Sequence, residues 1–152
     1  MTEKELIDKY TIHRVKWAEL CCEEELSEDF IEKYQNELTW DYICSYQKLS
    51  ENFLRKHKDN INWFLISGCQ ILSESFIREF ADKVNWYLIS EKQKLSEDFI
   101  REFADKVDWE RISYCQILSE EFIRENKDKV DWRSISYRQT LSENIKKEFN
   151  IK

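Results

Sequence analysis

Proline is absent from this sequence, and glycine occurs once, at Gly68. β-Hairpins, collagen-like segments and flexible linkers depend on these residues, so all three are disfavoured. Helices joined by short, tight connections are the expected alternative. No apolar run reaches the roughly 18 residues that a bilayer-spanning helix needs, so no membrane segment is expected. Histidine is limited to His13 and His57, and no glycine-rich phosphate loop exists. The five cysteines (Cys21, Cys22, Cys44, Cys69 and Cys115) are odd in number, which speaks against a disulfide framework. The opening Met1-Thr2-Glu3-Lys4-Glu5 lacks the charged-then-apolar order of a secretory signal, so a reducing cytoplasm is the expected location. Acidic residues number 31 against 24 basic ones, a net charge of -7. A field of that sign repels phosphate backbones, so direct nucleic-acid binding is disfavoured.

What is present is a repeat. The six tryptophans are Trp17, Trp40, Trp63, Trp86, Trp109 and Trp132, each 23 residues after the last. Leu-Ser-Glu recurs with the same step from Leu26, Leu49, Leu72, Leu95, Leu118 and Leu141. Three places after the serine stands Phe30, Phe53, Phe76, Phe99 or Phe122, with Ile145 in the last copy. A fixed period of this length is the signature of a repeat architecture.

The copy from Leu95 to Ile117 reads as two short helices. Ser96 is a good N-cap, its hydroxyl accepting from a first-turn amide, and Glu97 and Asp98 place negative charge at the positive end of the helix dipole. Leu95 and Ile100 are spaced for a hydrophobic staple, and Phe99, Ile100 and Phe103 supply an apolar face. This helix is expected to end near Lys106. Asp108 caps the second helix, where Thr39, Asn62, Asn85 and Asp131 stand in other copies. Val107 with Ile112 repeats the staple. Helices this short are marginal alone, and stacking copies buries each pair's apolar face against its neighbours. The expected fold is therefore all-α: a right-handed α-solenoid with two helices per 23 residues.

The whole chain, 1–152, is expected to form a single repeat domain. Residues 1–25 form a degenerate N-terminal cap repeat, with Thr2 and Glu5 as a capping box and Lys16 in place of the second cap. Repeats follow at 26–48, 49–71, 72–94, 95–117 and 118–140, and 141–152 reads as a C-terminal capping helix with Lys146 and Lys147 facing water.

Fixed positions are explained by capping and core. The variable ones lie one, two, five and six places after each tryptophan, on the side of the second helix away from Trp and Ile. Residues that the fold does not dictate are free to specify a partner. Tyr42, Tyr46, Tyr87, Arg111, Tyr114, Arg133, Tyr137 and Arg138 are the candidate partner-binding residues, since aromatic and arginine side chains dominate binding hot spots. Phe64, Leu65 and Leu88 share the stripe, and packing on neighbouring copies would explain them equally well.

Other candidates have simpler explanations. The periodic tryptophans read as core rather than as a base-stacking platform. Gln47, Gln70, Gln93, Gln116 and Gln139 are expected to bond loop backbone between copies, because no C-cap glycine serves those groups. Cys21 and Cys22 with His13 lack Cys-x-x-Cys spacing, and Cys21 and Cys44 occupy a small-residue position, so no metal is expected. His57 stands where other copies have Phe80 and Phe103. No carboxylate pair is set apart by apolar surroundings, so neither a catalytic residue nor a cofactor is expected.

The string LSEDFIREFADKVDW, followed by Ile112-Ser113 and Gln116, resembles a short tandem repeat found in giant and other large DNA viruses, over about residues 26 to 149. Such arrays mostly lack an assigned activity. The resemblance implies a viral source, a host-cell cytoplasmic location and no catalytic residue.

The expected function is a protein-binding scaffold, as a monomer or with weak self-association. Two alternatives stand beside it. One is an acidic nucleic-acid mimic built on Glu28, Glu51, Glu74, Glu97, Glu120 and Glu143, although helix dipoles also account for those glutamates. The other is a structural or self-assembling array.

Overall fold

A computed structural model describes residues 2–10 and 16–150. All regular structure among them is helical. Two compact units divide between Leu72 and Ser73. The first holds α1 (Glu3–Tyr10), α2 (Trp17–Glu23), α3 (Glu28–Lys33), α4 (Trp40–Tyr46), α5 (Glu51–Lys56) and α6 (Trp63–Cys69). The second holds α7 (Glu74–Glu79), α8 (Trp86–Lys92), α9 (Glu97–Glu102), α10 (Trp109–Cys115), α11 (Glu120–Glu125), α12 (Trp132–Arg138) and α13 (Glu143–Glu148). In the first unit α4 packs on α2 and α6; in the second α10 packs on α8 and α12. Each unit is thus an α-solenoid of two-helix repeats, stacked in sequence order.

The caps follow the sequence closely. Ser96 Oγ accepts from Phe99 N–H at 3.2 Å, and Ser27, Ser50, Ser73 and Ser119 do the same for Phe30, Phe53, Phe76 and Phe122. At the second helices, Asn85, Asp108 and Asp131 accept from Leu88, Arg111 and Ser134 N–H at 3.0, 2.9 and 2.9 Å. Thr39 makes no side-chain cap; Tyr42 N–H bonds its carbonyl instead. Thr2 and Glu5 close the expected capping box, at 2.7 and 3.2 Å.

The first helix is shorter than its sequence suggests. It stops at Glu102, not near Lys106, and Phe103 is the C-cap. Lys106 and Val107 N–H both bond the Phe103 carbonyl, and the Trp109 indole N–H takes the Ala104 carbonyl at 2.9 Å. An indole donor five residues downstream therefore satisfies a group that would otherwise continue the helix. Trp63, Trp86 and Trp132 do the same to Lys58, Ala81 and Lys127.

The core of each unit is built of Leu, Phe and Ile. Ile43, Ile66, Ile89, Ile112 and Ile135 are sealed from solvent, as are Ile31, Leu54, Ile77, Ile100, Ile123, Phe76, Phe99 and Phe122. The tryptophans are a correction: they are half-buried, not core. Within each unit, tryptophan rings lean on aromatics of the following copy. Trp86 meets Phe99 at 6.2 Å and Phe103 at 4.9 Å, and Trp132 meets Phe149 at 4.5 Å.

Candidate functional site

The fixed polar residues are consumed in joining copies. Gln116 is buried; its Nε2 donates to the Ser90 and Gln93 carbonyls at 3.1 and 2.8 Å, and its Oε1 accepts from Leu95 N–H at 3.2 Å. Gln47 and Gln70 make equivalent sets in the first unit. The repeating glutamates do more than serve helix dipoles. Glu97 accepts from both N–H and Oγ of Ser119, at 2.6 and 3.1 Å; Glu28 binds Ser50 and Glu120 binds Ser142 in the same manner. The Ser142 amide and hydroxyl hold the Glu120 carboxyl below its usual range. These carboxylates face their own neighbouring copy.

The arginines of the first helices are equally committed. Arg78 pairs with Glu102 at 2.7 Å and Glu74 at 3.6 Å, and its guanidinium lies 4.9 Å over the Phe99 ring. Arg101 and Arg124 find Glu125 and Glu148 at 2.8 and 2.9 Å. His57, buried between Phe53 and Trp40, bonds Glu32 at 3.0 Å.

The outward sides of the second helices differ. In the first unit, Tyr42 and Tyr46 on α4 are 38% and 59% exposed and stack with centroids 6.2 Å apart. Phe64 on α6 is also exposed, whereas Leu65 and Leu88 are half-buried. In the second unit Tyr87, Tyr114 and Tyr137 are exposed, the last by 79%. Each of two arginines lies over a tyrosine of the preceding copy: Arg111 over Tyr87 at 5.1 Å and Arg138 over Tyr114 at 4.5 Å. Arg138 Nε also donates to the Tyr114 carbonyl at 3.2 Å. Between α10 and α12 runs a groove of about 540 Å³, lined by Glu110, Arg111, Tyr114, Asp131, Arg133, Ser134, Ser136 and Tyr137. The structure thus gathers Arg111, Tyr114, Arg133 and Tyr137 around one groove, places Tyr87 on α8 and Arg138 on α12 in ring contacts with Arg111 and Tyr114, and sets Tyr42 and Tyr46 on the other unit.

Sequence reasoning passed over Ile71 and Ile117, which are almost fully exposed. Their signal is the register just after the glutamine, shared with Lys48, Lys94 and Thr140. An isoleucine among lysines marks an outward position.

All five cysteines are free thiols. Cys21 and Cys44 are buried, and loss of solvent pushes both thiols up to about 11. Cys22 and Cys69 are exposed. Because the thiolate is the nucleophile, iodoacetamide at about pH 8 should modify Cys22 and Cys69 and spare Cys21 and Cys44 until the chain is unfolded. Peptide mapping reads this directly; equal labelling of Cys21 and Cys22 in the folded chain would contradict the packing described. His13 lies outside the described residues, and no three His, Cys, Asp or Glu side chains converge on a metal-sized site among the described ones. Among the same residues, no helix is long and apolar enough to cross a membrane.

The chain matches no protein-family model, no curated protein and no solved structure.

Proposed function

We propose that this chain is a non-enzymatic protein-binding repeat scaffold whose interaction face is the outward side of the second helices. One observation carries the reading. The side chains that recur from copy to copy (serine, glutamate and glutamine), with Arg78, Arg101 and Arg124, are engaged in capping or in joining copies, while the exposed tyrosines and the second-helix arginines stand at positions that differ between copies. Exposed aromatics beside arginine are the composition of binding hot spots, and tyrosine brings a large contact area at low entropic cost. A nucleic-acid mimic would need its regular row of carboxylates free, and Glu28, Glu97 and Glu120 are tied to the next copy's serine. The resemblance to viral repeat arrays directs the search for a partner to host proteins.

The test is affinity capture from a cell lysate with the wild-type chain beside a Tyr114→Ala, Arg133→Glu, Tyr137→Ala, Arg138→Glu variant. None of these four side chains is buried, so the variant should keep its helical circular dichroism. The expected result is a discrete protein captured by the wild type and lost by the variant. Capture of the same set by both would remove the second-helix face as the site.

A further inference from the structure

The arginines fall into two sets with opposite circumstances. Those of the first helices are saturated: Arg78, Arg101 and Arg124 each hold a carboxylate four residues back and another in the next copy. Those of the second helices in the second unit are not. Arg133 sits on the α10–α12 groove and makes no ion pair among the described residues. Asp131, on the same groove, spends one oxygen on the Ser134 amide at 2.9 Å and feels the Arg133 charge without forming an ion pair with it. Arg138 has a tyrosine ring under its guanidinium and a backbone carbonyl on Nε, and no carboxylate within ion-pair distance among the described residues. Among the described residues, Arg111 forms an ion pair with the exposed Glu110, beside it in sequence, at 2.8 Å, feels Glu91 and Asp108 at longer range, and has no acceptor on its buried Nε.

This is not a shortage of acid, because carboxylates outnumber cations 31 to 24 in the sequence. Leaving a buried donor unmatched costs about 1–3 kcal/mol, and such a group calls for an explanation. Stacking on a tyrosine restrains a guanidinium while leaving edge N–H groups available, and that fork matches a carboxylate.

Resting on the protein-binding reading, we infer that the α10–α12 groove takes an extended, Asp/Glu-rich segment of the partner. Partner carboxylates bond Arg133 and Arg138 and compete with Glu110 for Arg111, while apolar partner side chains lie against Tyr114 and Tyr137. The face therefore discriminates by charge: an acidic segment docks, and its amide counterpart does not.

The test uses the full ¹⁵N-labelled chain and follows arginine Nε–H signals by NMR. The probes are a synthetic peptide of alternating Glu and Tyr, its Gln/Tyr counterpart, and single-stranded oligothymidylate of equal length. The expected result is that the acidic peptide shifts Arg111, Arg133 and Arg138 and leaves Arg78, Arg101 and Arg124 unmoved. Arg133→Gln with Arg138→Gln should weaken that binding by about tenfold or more. The Gln/Tyr peptide should bind at least about tenfold more weakly than the acidic one. An equal response to both peptides, no response to the acidic one, or a stronger response to the oligonucleotide overturns the inference. If the lysate capture above still depends on Tyr114 and Tyr137 while the acidic peptide leaves the arginines unmoved, the scaffold reading stands and the acidic partner falls; if capture is also insensitive to the variant, both fall.

Discussion

Replacing Gln116 with leucine should destabilise the unit of residues 73–152 by about 3–5 kcal/mol, although leucine is similar in size and more apolar. The substitution strands three backbone groups at once: the Leu95 amide and the Ser90 and Gln93 carbonyls, each bonded to this one side chain in a buried setting. An unmatched buried group costs about 1–3 kcal/mol, and the apolar gain of leucine offsets only part of the sum. Gln139→Leu is the internal control. Gln139 is half-buried and bonds only the Leu118 amide and the Gln116 carbonyl, so its loss should cost clearly less. Urea unfolding followed by circular dichroism measures both. Equal midpoints for wild type and Gln116→Leu would mean that the glutamine ladder is not what joins the copies.

Why a glutamine serves here is visible in the local geometry. Each second helix ends without glycine, and the residue after it is extended: Gln116 has φ -93 and ψ 150. The chain leaves the helix directly, so the last carbonyls cannot fold back into a Schellman turn. A side chain from the following copy supplies the donors. One amide group carries both donors and an acceptor, which neither glutamate nor lysine offers; Glu24 holds this register in the first copy, where it pairs with Lys9 and Tyr10 instead.

The sequence exposes most of the scaffold because its physics is local. A serine three residues before a phenylalanine amide, or an aspartate before a tryptophan, announces a cap without knowledge of the rest of the fold. Apolar spacing likewise marks Ile100 and Ile112 as core, and both are sealed from solvent. What stays hidden depends on partners 17 to 24 residues away. Nothing near Glu97 says that its carboxylate reaches Ser119, and nothing near Trp86 says that its ring rests on Phe103 and is left half-exposed. The end of the first helix is hidden for a different reason: the indole donor of Trp109 closes the turn at Ala104, and propensity scales do not count side-chain donors. The candidate face was legible by subtraction, since the tyrosines vary where everything required by the fold is constant. Its internal order was not, because Arg138 and Tyr114 meet across 24 residues.

The same stacking logic predicts a stabilising substitution. The C-cap position of the first helices holds Tyr34, His57, Phe80, Phe103, Asn126 and Phe149. Tyr34, His57, Phe103 and Phe149 each place a ring against the tryptophan of the preceding copy: Phe103 lies 4.9 Å from Trp86 and Phe149 lies 4.5 Å from Trp132. Among the described residues, Asn126 leaves Trp109 with Phe122 as its aromatic partner, at 6.2 Å, beside the Lys129 ammonium 5.3 Å over the indole, and spends its amide on the Phe122 carbonyl at 3.0 Å. Asn126→Phe should therefore restore the missing ring. An aromatic pair contributes about 0.5–1.5 kcal/mol beyond burial, and burial of the ring adds about 1.5–3 kcal/mol. Loss of the asparagine hydrogen bond subtracts about 1 kcal/mol, since the Phe122 carbonyl keeps the Asn126 backbone amide at 3.1 Å as a partner. The expected net gain is about 1–3 kcal/mol, seen as a rise in thermal midpoint of several degrees and a blue shift of tryptophan fluorescence. Trp109→Leu in the same background should erase most of the gain. If Asn126→Phe is equally stabilising with and without Trp109, the ring is filling space rather than stacking, and the inter-copy aromatic column is not a source of cohesion.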